Sequence, residues 1–118
     1  DYARAQESRQ ECNGALMKTM GGIDLLLCPS TPRAAYPYTE KNAYGPIPQN
    51  RDPWDSRFTV PMDFSGLPTI ALPCGLNANQ LPLSLQLVGH RLSEPLLVQA
   101  GAAFQSVTNF HKLRPPGW

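Results

Sequence analysis

Three short apolar runs, each bounded by glycine or proline, constrain the fold of this chain more than any other feature. They cover residues 23–28, 69–74 and 83–88. Each has the length and composition of a β-strand, and the first is almost continuously apolar, as expected of a strand covered on both faces. Three such strands would expose unpaired edges if they stood alone. We therefore expect them to complete a larger β-sheet to which another segment contributes strands.

Helical patterns occupy the rest of the ordered sequence. The first repeats apolar residues every three to four positions and ends at Gly21-Gly22, since glycine accepts the left-handed cap conformation. The second is short, with Pro61 in its first turn, and the third begins after the N-cap residue Ser93. The predicted order is a helix over 1–22, a strand over 23–28, a long loop over 29–57, a short helix over 58–66, a hairpin over 69–88, a helix over 93–107 and a polar surface tail over 108–118.

This order predicts the α/β class, with part of a mixed sheet flanked by helices and incomplete as an isolated chain. The loop over residues 29–57 is rich in proline, tyrosine and asparagine and shows no periodicity. A structureless stretch of this length in a compact domain is typically a loop that lines a site or docks a partner. The alternative is a surface excursion held in place by its prolines.

Composition narrows the function classes. Apolar residues make up 42% of the 118 residues, which is enough for a packed core. The formal charge is +1, with basic and acidic residues interspersed, so neither nucleic acid nor an anionic membrane is favoured as a partner. No apolar run approaches the roughly 20 residues that a membrane-spanning helix needs.

The three cysteines form an odd, widely spaced set, Cys12, Cys28 and Cys74. This spacing predicts neither a disulfide framework nor a zinc site, and favours free thiols in a cytoplasmic protein. The first residue is aspartate and no secretion leader is evident. We expect the chain to begin inside a longer reading frame or after a cleavage.

Familiar catalytic motifs do not occur in the sequence. It has no Gly-x-Ser-x-Gly elbow, no Ser-x-x-Lys pair and no glycine-rich phosphate loop. Ser30 and Ser56 lie in the long loop, where turn chemistry explains them. His90 and His111 are far apart and predict surface or capping roles. We therefore expect no catalytic residue, metal site or cofactor within these residues.

Arg9 is the most informative charged residue, because it falls on the predicted apolar stripe of the first helix. An inward-facing arginine needs a partner, since an unpaired buried charge is costly. One interpretation is a guanidinium that grips a carboxylate or orients a loop acid. The other is a long side chain that reaches water or binds backbone carbonyls.

Several segments, in order along nearly the whole chain, resemble the C-terminal region of the amidase-signature family. Any one of them alone would be a weak signal, whereas the joint pattern is specific. The segments are IDLLLCPSTP at 23–32, FTVPMDFSGLP at 58–68, ALPCG at 71–75, LPLSLQLVG at 81–89 and FHKLRPP at 110–116.

The resemblance implies a large α/β hydrolase of linear amides, with a central mixed sheet surrounded by helices. In that family a serine attacks the amide carbonyl, while a second serine after a cis peptide bond and a lysine relay protons. These groups belong to the N-terminal part of the enzyme. The resemblance therefore implies that the isolated chain is inactive and that its partner is the N-terminal part of the same enzyme.

What this region can contribute, by the same resemblance, is a wall of the substrate pocket. In relatives that take ammonia from glutamine, an arginine on the first helix and an acid before the Phe-Thr-x-Pro-like segment hold the substrate. Arg9 matches that arginine, whereas Ser56 stands at the place of the acid, with Asp55 one residue earlier. A neutral or hydrophobic amide therefore fits better, with apolar contact from Trp54 and Phe58. Met62 is a further apolar candidate, and core packing is the alternative for both Phe58 and Met62.

Three hypotheses follow. The first is the C-terminal part of an amide hydrolase that acts on a small-molecule amide, located in the cytoplasm. The second is the glutamine-hydrolysing subunit of a tRNA-dependent amidotransferase. The third is a non-catalytic structural or interaction fragment that pairs its sheet edges in a homo-oligomer.

Overall fold

A computed structural model of the chain describes residues 1–37, 40, 53–115 and 117. Within this part lie three helices and three strands, together with two short 3₁₀ turns at Pro53–Ser56 and Phe110–Lys112. In chain order the elements are α1 (Tyr2–Thr19), β1 (Leu25–Pro29), α2 (Val60–Ser65), β2 (Thr69–Leu76), β3 (Pro82–Gly89) and α3 (Glu94–Val107).

The three strands form one antiparallel sheet in the order β1-β3-β2, so β3 is the central strand. Leu27 of β1 lies opposite Leu87 of β3, and on the other side Ile70 of β2 lies opposite the same Leu87. The β2–β3 pair is a hairpin with a register shift between Pro73 and Gly75. The α/β class and the partial sheet predicted from the sequence are confirmed.

The hairpin turn is built by Asn77. Its side-chain oxygen accepts hydrogen bonds from the backbone N–H groups of Asn79 and Leu81, each at 2.9 Å. This is the local bonding that makes asparagine a frequent turn residue. Gln80 takes a positive φ of 60° in the same turn. Local hydrogen bonds therefore close the hairpin between β2 and β3.

A small hydrophobic core lies between one face of the sheet and the helices α1 and α2. It consists of Met20, Met62, Leu67 and Val88, with Leu16, Leu26 and Cys28 packed against it. Met20 and Val88 are fully buried. Burial of such a side chain stabilises a fold by roughly 1.5–3 kcal/mol. This cluster therefore fixes the C-terminal end of α1 and the short helix α2 on the sheet.

Helix α3 packs on the opposite face of the sheet, against β2 and β3. The contact is close at Gly101, where an added Cβ would lie 3.0 Å from Cδ1 of Ile70 and 3.6 Å from a methyl of Leu72. Leu97 is also buried in this contact. Glycine at 101 therefore brings the helix axis close to β2.

Strand β1 is less covered than the sequence predicts. Leu26 and Cys28 pack on the core, whereas Leu27, on the other face, is 62% exposed. The physical reason is that α3 lies over β2 and β3 and leaves that face of β1 open. In the part of the chain that the structure describes, the outer edges of β1 and β2 pair with no further strand.

The apolar stripe predicted for the first helix is only partly correct. Residues of α1 itself are never fully buried, and Tyr2 is 78% exposed. Leu16 and the adjoining Met20 pack on the core, so only the C-terminal end of the helix reaches the sheet. The prediction that Arg9 faces inward is wrong for the same reason, because Arg9 is exposed on the described surface.

The element bounds differ from the predicted ones by a few residues, and the tail differs in packing. The strand predicted over 23–28 lies at Leu25–Pro29, and the tail contains the turn Phe110–Lys112, which packs beside β2 and is not wholly at the surface. Ser93 is the N-cap residue of α3, but its hydroxyl donates to the carbonyl of His90 at 2.6 Å and caps no helix N–H. Residues 38, 39 and 41–52 of the predicted long loop lie outside the described residues.

The packing at Gly101 makes a stability prediction with a built-in control. Gly101→Val will lower the free energy of unfolding by about 1–3 kcal/mol, because the added side chain meets Ile70 and Leu72. Gly14→Val, within α1, adds a side chain that meets nothing within 4 Å and carries the same change in helix propensity. Urea unfolding of both variants checks this. Equal destabilisation by the two would contradict the close contact between α3 and β2.

Candidate functional site

The two described ends of the long loop meet beside the sheet and form a cleft. The cleft has a volume of about 420 Å³ and is lined by Pro32, Arg33, Trp54 and Arg57. Pro32 and Arg33 of the cleft follow β1 in the sequence. Trp54 belongs to the 3₁₀ turn Pro53–Ser56, and Arg57 follows it. The indole of Trp54 is 64% exposed, so an aromatic surface faces the solvent here.

An ion pair joins the two sides of this cleft. Nη2 of Arg33 lies 2.7 Å from Oδ1 of Asp55, and the two side chains are 57% and 22% exposed. A partly exposed pair of this kind contributes roughly 0–1 kcal/mol to stability. Its value for the site is geometric, because it fixes the carboxylate of Asp55 against one wall of the cleft.

The turn that carries Trp54 is held by backbone hydrogen bonds. Arg57 N–H donates to the carbonyl of Trp54 at 3.3 Å, and Thr59 N–H donates to the carbonyl of Ser56 at 3.1 Å. The hydroxyl of Thr59 also donates to the carbonyl of Ser56, at 3.3 Å. These bonds lead the chain directly from the 3₁₀ turn into α2.

Phe58 connects the turn to the sheet. Its carbonyl accepts a hydrogen bond from Nε2 of Gln86, a residue of the central strand β3. The guanidinium of Arg57 lies 5.1 Å from the centre of the Phe58 ring, within the range of a cation–π contact. The ring of Phe58 is therefore covered by a charged side chain on one side and is half-buried.

Arg9 makes its contacts at the C-terminal end of α2. Its Nε donates to the carbonyl of Phe64 at 2.8 Å, and its guanidinium lies 6.0 Å from the centre of the Phe64 ring. Gly66 follows with a left-handed φ of 69° and ends the helix. A cation at a helix C-terminus satisfies carbonyls that lack an intrahelical partner. Of the two interpretations of Arg9, the structure shows the one in which it binds a backbone carbonyl.

The structure thus brings together four of the five residues predicted to bind substrate. Trp54, Asp55, Ser56 and Phe58 lie on one turn, whereas the contacts of Arg9 are at the other end of α2. Their spacing in the sequence accounts for this grouping.

Three charged or polar residues of the site were missed by sequence reasoning, Arg33, Arg57 and Gln86. Arg33 gives no signal, since its pairing depends on how the loop returns. Gln86 does give one, because it is a polar residue inside an apolar strand and is only 6% exposed. A buried side-chain amide requires hydrogen-bond partners, and here those partners belong to the site.

Metal-binding and membrane-spanning features are both missing from the described residues. No group of three or more His, Cys, Asp or Glu side chains in this part is placed to hold a metal ion. None of the described helices combines the length and hydropathy of a bilayer-spanning segment. Cys12, Cys28 and Cys74 are free thiols, and His90 donates from Nε2 to the carbonyl of Ile23 at 2.9 Å.

Sequence comparisons show which known proteins the chain resembles. A sequence model of the Amidase family matches residues 1–98. A glutamyl-tRNA(Gln) amidotransferase subunit of Acaryochloris marina is 34% identical over 114 residues, which cover 97% of this chain and 23% of the relative. The putative amidase AmiD of Mycobacterium bovis is 36% identical over 119 residues, covering 98% of this chain and 24% of the relative. The chain thus spans about a quarter of the length of these relatives.

A solved structure shows the same arrangement. The crystal structure of the corresponding glutamyl-tRNA(Gln) amidotransferase subunit from Thermotoga maritima matches with a TM-score of 0.71 and 24% identity. The match covers 91% of this chain and 22% of that chain. The three-stranded antiparallel sheet and its helices therefore form part of a larger fold in that protein.

The contact between Arg9 and α2 predicts a measurable stability difference along α1. Arg9→Met will lower the free energy of unfolding by about 1 kcal/mol, because the carbonyl of Phe64 loses its donor. Arg4→Met, the same change at an exposed position of the same helix, will stay within about 0.5 kcal/mol of the parent. Urea unfolding compares the two variants. An Arg9→Met protein as stable as Arg4→Met would show that the bond to Phe64 contributes nothing.

Proposed function

The chain belongs to the Amidase family, and on that premise we propose that it is the C-terminal part of an enzyme that hydrolyses the carbon–nitrogen bond of linear amides. The family match over residues 1–98 supports this proposal and confirms the resemblance drawn from the sequence. The single observation that carries it is the likeness of nearly the whole chain to about a quarter of much longer amidases and amidotransferase subunits.

The proposed chemistry is acyl transfer by a serine nucleophile, assisted by a second serine after a cis peptide bond and by a lysine. In this proposal all three belong to the N-terminal part of the enzyme. Contacts within the chain support that assignment, because several of its serine hydroxyls donate to backbone carbonyls and serve local structure. These are the hydroxyls of Ser65, Ser93 and Ser106.

The role proposed for this chain is to form a wall of the amide-binding pocket. Trp54 supplies an exposed aromatic surface, and the carboxylate of Asp55 is fixed by Arg33 beside it. Arg33 and Asp55 compensate each other's charge, and the guanidinium of Arg57 lies over the ring of Phe58. The hydrogen bond from Gln86 to the carbonyl of Phe58 ties the turn to the sheet. The substrate class that fits this wall is a small amide with an apolar or aromatic acyl group.

The proposed partner of the chain is the rest of the same enzyme. The open outer edges of β1 and β2 and the exposed Leu27 support it, since strand edges and apolar faces of this kind are normally covered. Pairing with a second copy of the chain is the alternative, and with it the non-catalytic interaction fragment. The three free thiols support a cytoplasmic location within the proposal.

A second candidate function is the glutamine-hydrolysing subunit of a tRNA-dependent amidotransferase. The relative from Acaryochloris marina is named as a glutamyl-tRNA(Gln) amidotransferase subunit and is 34% identical, which favours it. Two features weigh against it: Arg9 is engaged with the carbonyl of Phe64, and Ser56 occupies the place of the expected acid. The amide hydrolase therefore remains the leading proposal.

The location of the nucleophile is tested by complementation. The isolated chain will not hydrolyse benzamide or acetamide, whereas the same chain together with the N-terminal part of the enzyme will. Ammonia release measures both reactions. Turnover by the isolated chain would place the nucleophile within these residues and contradict the proposal.

Glutamine separates the two candidate functions. In the full-length enzyme, glutamine at high concentration will not compete with benzamide, because the wall lacks the acid at position 56. Competition by glutamine that Arg9→Ala abolishes, but Arg4→Ala leaves intact, would establish the amidotransferase function instead.

A further inference from the structure

Gln86 is the most deeply buried polar side chain in contact with the candidate site. It lies on the central strand β3, is 6% exposed, and shares a face of the sheet with Val88 of the core. Its Nε2 lies 3.3 Å from the carbonyl oxygen of Pro29, within bonding distance of the carbonyl oxygen of Phe58, and 3.3 Å from Sγ of Cys28. One amide nitrogen thus faces three acceptors from two other parts of the chain.

The two carbonyls that Gln86 binds lie at the two ends of the long loop. Pro29 is the last residue of β1, where the long loop begins, and Phe58 is the residue at which the loop returns to the sheet. Between them in the sequence lie Arg33 and Trp54, which line the cleft, and Asp55, which pairs with Arg33. A single side chain on a rigid strand therefore holds both ends of the segment that carries the cleft.

The chemistry of the side chain matters as much as its place. Both carbonyls are acceptors, so only a donor can satisfy them, and the neutral amide provides two N–H groups without introducing a buried charge. A carboxylate here would repel both carbonyls, and a methionine of similar length would leave them without a donor. Cys28 is the weakest acceptor of the three, because sulfur accepts hydrogen bonds poorly.

We propose that Gln86 is a positioning residue for the amide-binding cleft: it fixes the two ends of the loop so that Arg33 and Trp54, which line the cleft, face the substrate. This inference rests on the proposed function. Gln86 touches no reacting atom, and its effect passes through the carbonyls of Pro29 and Phe58. It should therefore govern how well a large acyl group binds and leave the chemical step unchanged.

The experiment uses the full-length enzyme and the variant Gln86→Met, with Gln99→Met as the matched control. Gln99 is an exposed residue of α3 on the other face of the sheet, so it undergoes the same chemical change away from the loop. Hydrogen exchange is followed in the peptides over 29–37 and 53–59. KM and kcat are measured for benzamide and for acetamide, which lacks a large acyl group.

In Gln86→Met, exchange in the two loop peptides will rise about tenfold, because the carbonyls of Pro29 and Phe58 have lost their shared donor. KM for benzamide will rise by a similar factor, while kcat for both amides and KM for acetamide stay within about twofold. Gln99→Met will match the parent in every measurement.

Loop exchange and KM values equal to those of the parent would overturn the proposal. So would a uniform rise in exchange over β2, β3 and α3 with an equal loss of activity on both amides, because that pattern shows a general loss of stability. If Gln86→Met yields too little folded protein, Gln86→Asn keeps the amide on a stem one methylene shorter. It will give smaller rises in loop exchange and in KM for benzamide, and parent values for both would contradict the proposal.

The proposed function and the role of Gln86 fail separately in this experiment. A full-length parent enzyme that hydrolyses neither amide refutes the proposed function, whereas the exchange measurement still reports on the contact of Gln86. An active parent enzyme with unchanged loop exchange in Gln86→Met refutes only the role of Gln86.

Discussion

The structure depends on the pairing of β3 with a strand on each side. Strand β3 presents one face to the core through Val88 and the other face to α3. Its polar residue Gln86 binds the ends of the long loop, and its last residue Gly89 donates to the carbonyl of Pro68 at 3.0 Å. The same strand therefore contributes to the core and holds the loop that forms the cleft.

The same pairing leaves the outer edges of β1 and β2 open in the part of the chain that the structure describes. It also leaves Leu27 on a face of β1 that no described helix fully covers. The proposed pairing with the rest of the enzyme accounts for both features, and in the solved amidotransferase structure the matching segment is 22% of a longer chain. The proposed role of this chain as one wall of the pocket agrees with this. In the proposal, the rest of the enzyme supplies the other walls and the reacting groups.

The elements that sequence analysis anticipated well are those governed by local rules. The short helix with Pro61 in its first turn, the helix after Ser93 and the hairpin depend on nearby residues, and the structure places α2, α3 and the β2–β3 hairpin where these signals lie. Burial was anticipated less well. The stripe of α1 and the cover of β1 depend on what packs against them, and such contacts are not encoded within a single segment.

In the candidate site, too, local groupings could be predicted from the sequence and long-range contacts could not. Trp54, Asp55 and Phe58 are neighbours in sequence and therefore neighbours in the turn, so a local pattern could group them. The contacts of Arg33 with Asp55 and of Arg9 with Phe64 join residues that are distant along the chain. Periodicity placed Arg9 on an apolar stripe, and only the packing of α1 against α2 shows that it binds a carbonyl instead.

Amide hydrogen exchange at the two edge strands tests most directly whether these strands complete a larger sheet. Exchange over residues 25–29 and 69–76 would be compared between the isolated chain and the full-length enzyme. We predict that amides of β1, β2 or both exchange freely in the isolated chain and become protected in the intact enzyme. Identical exchange of both strands in the two proteins would contradict a shared sheet.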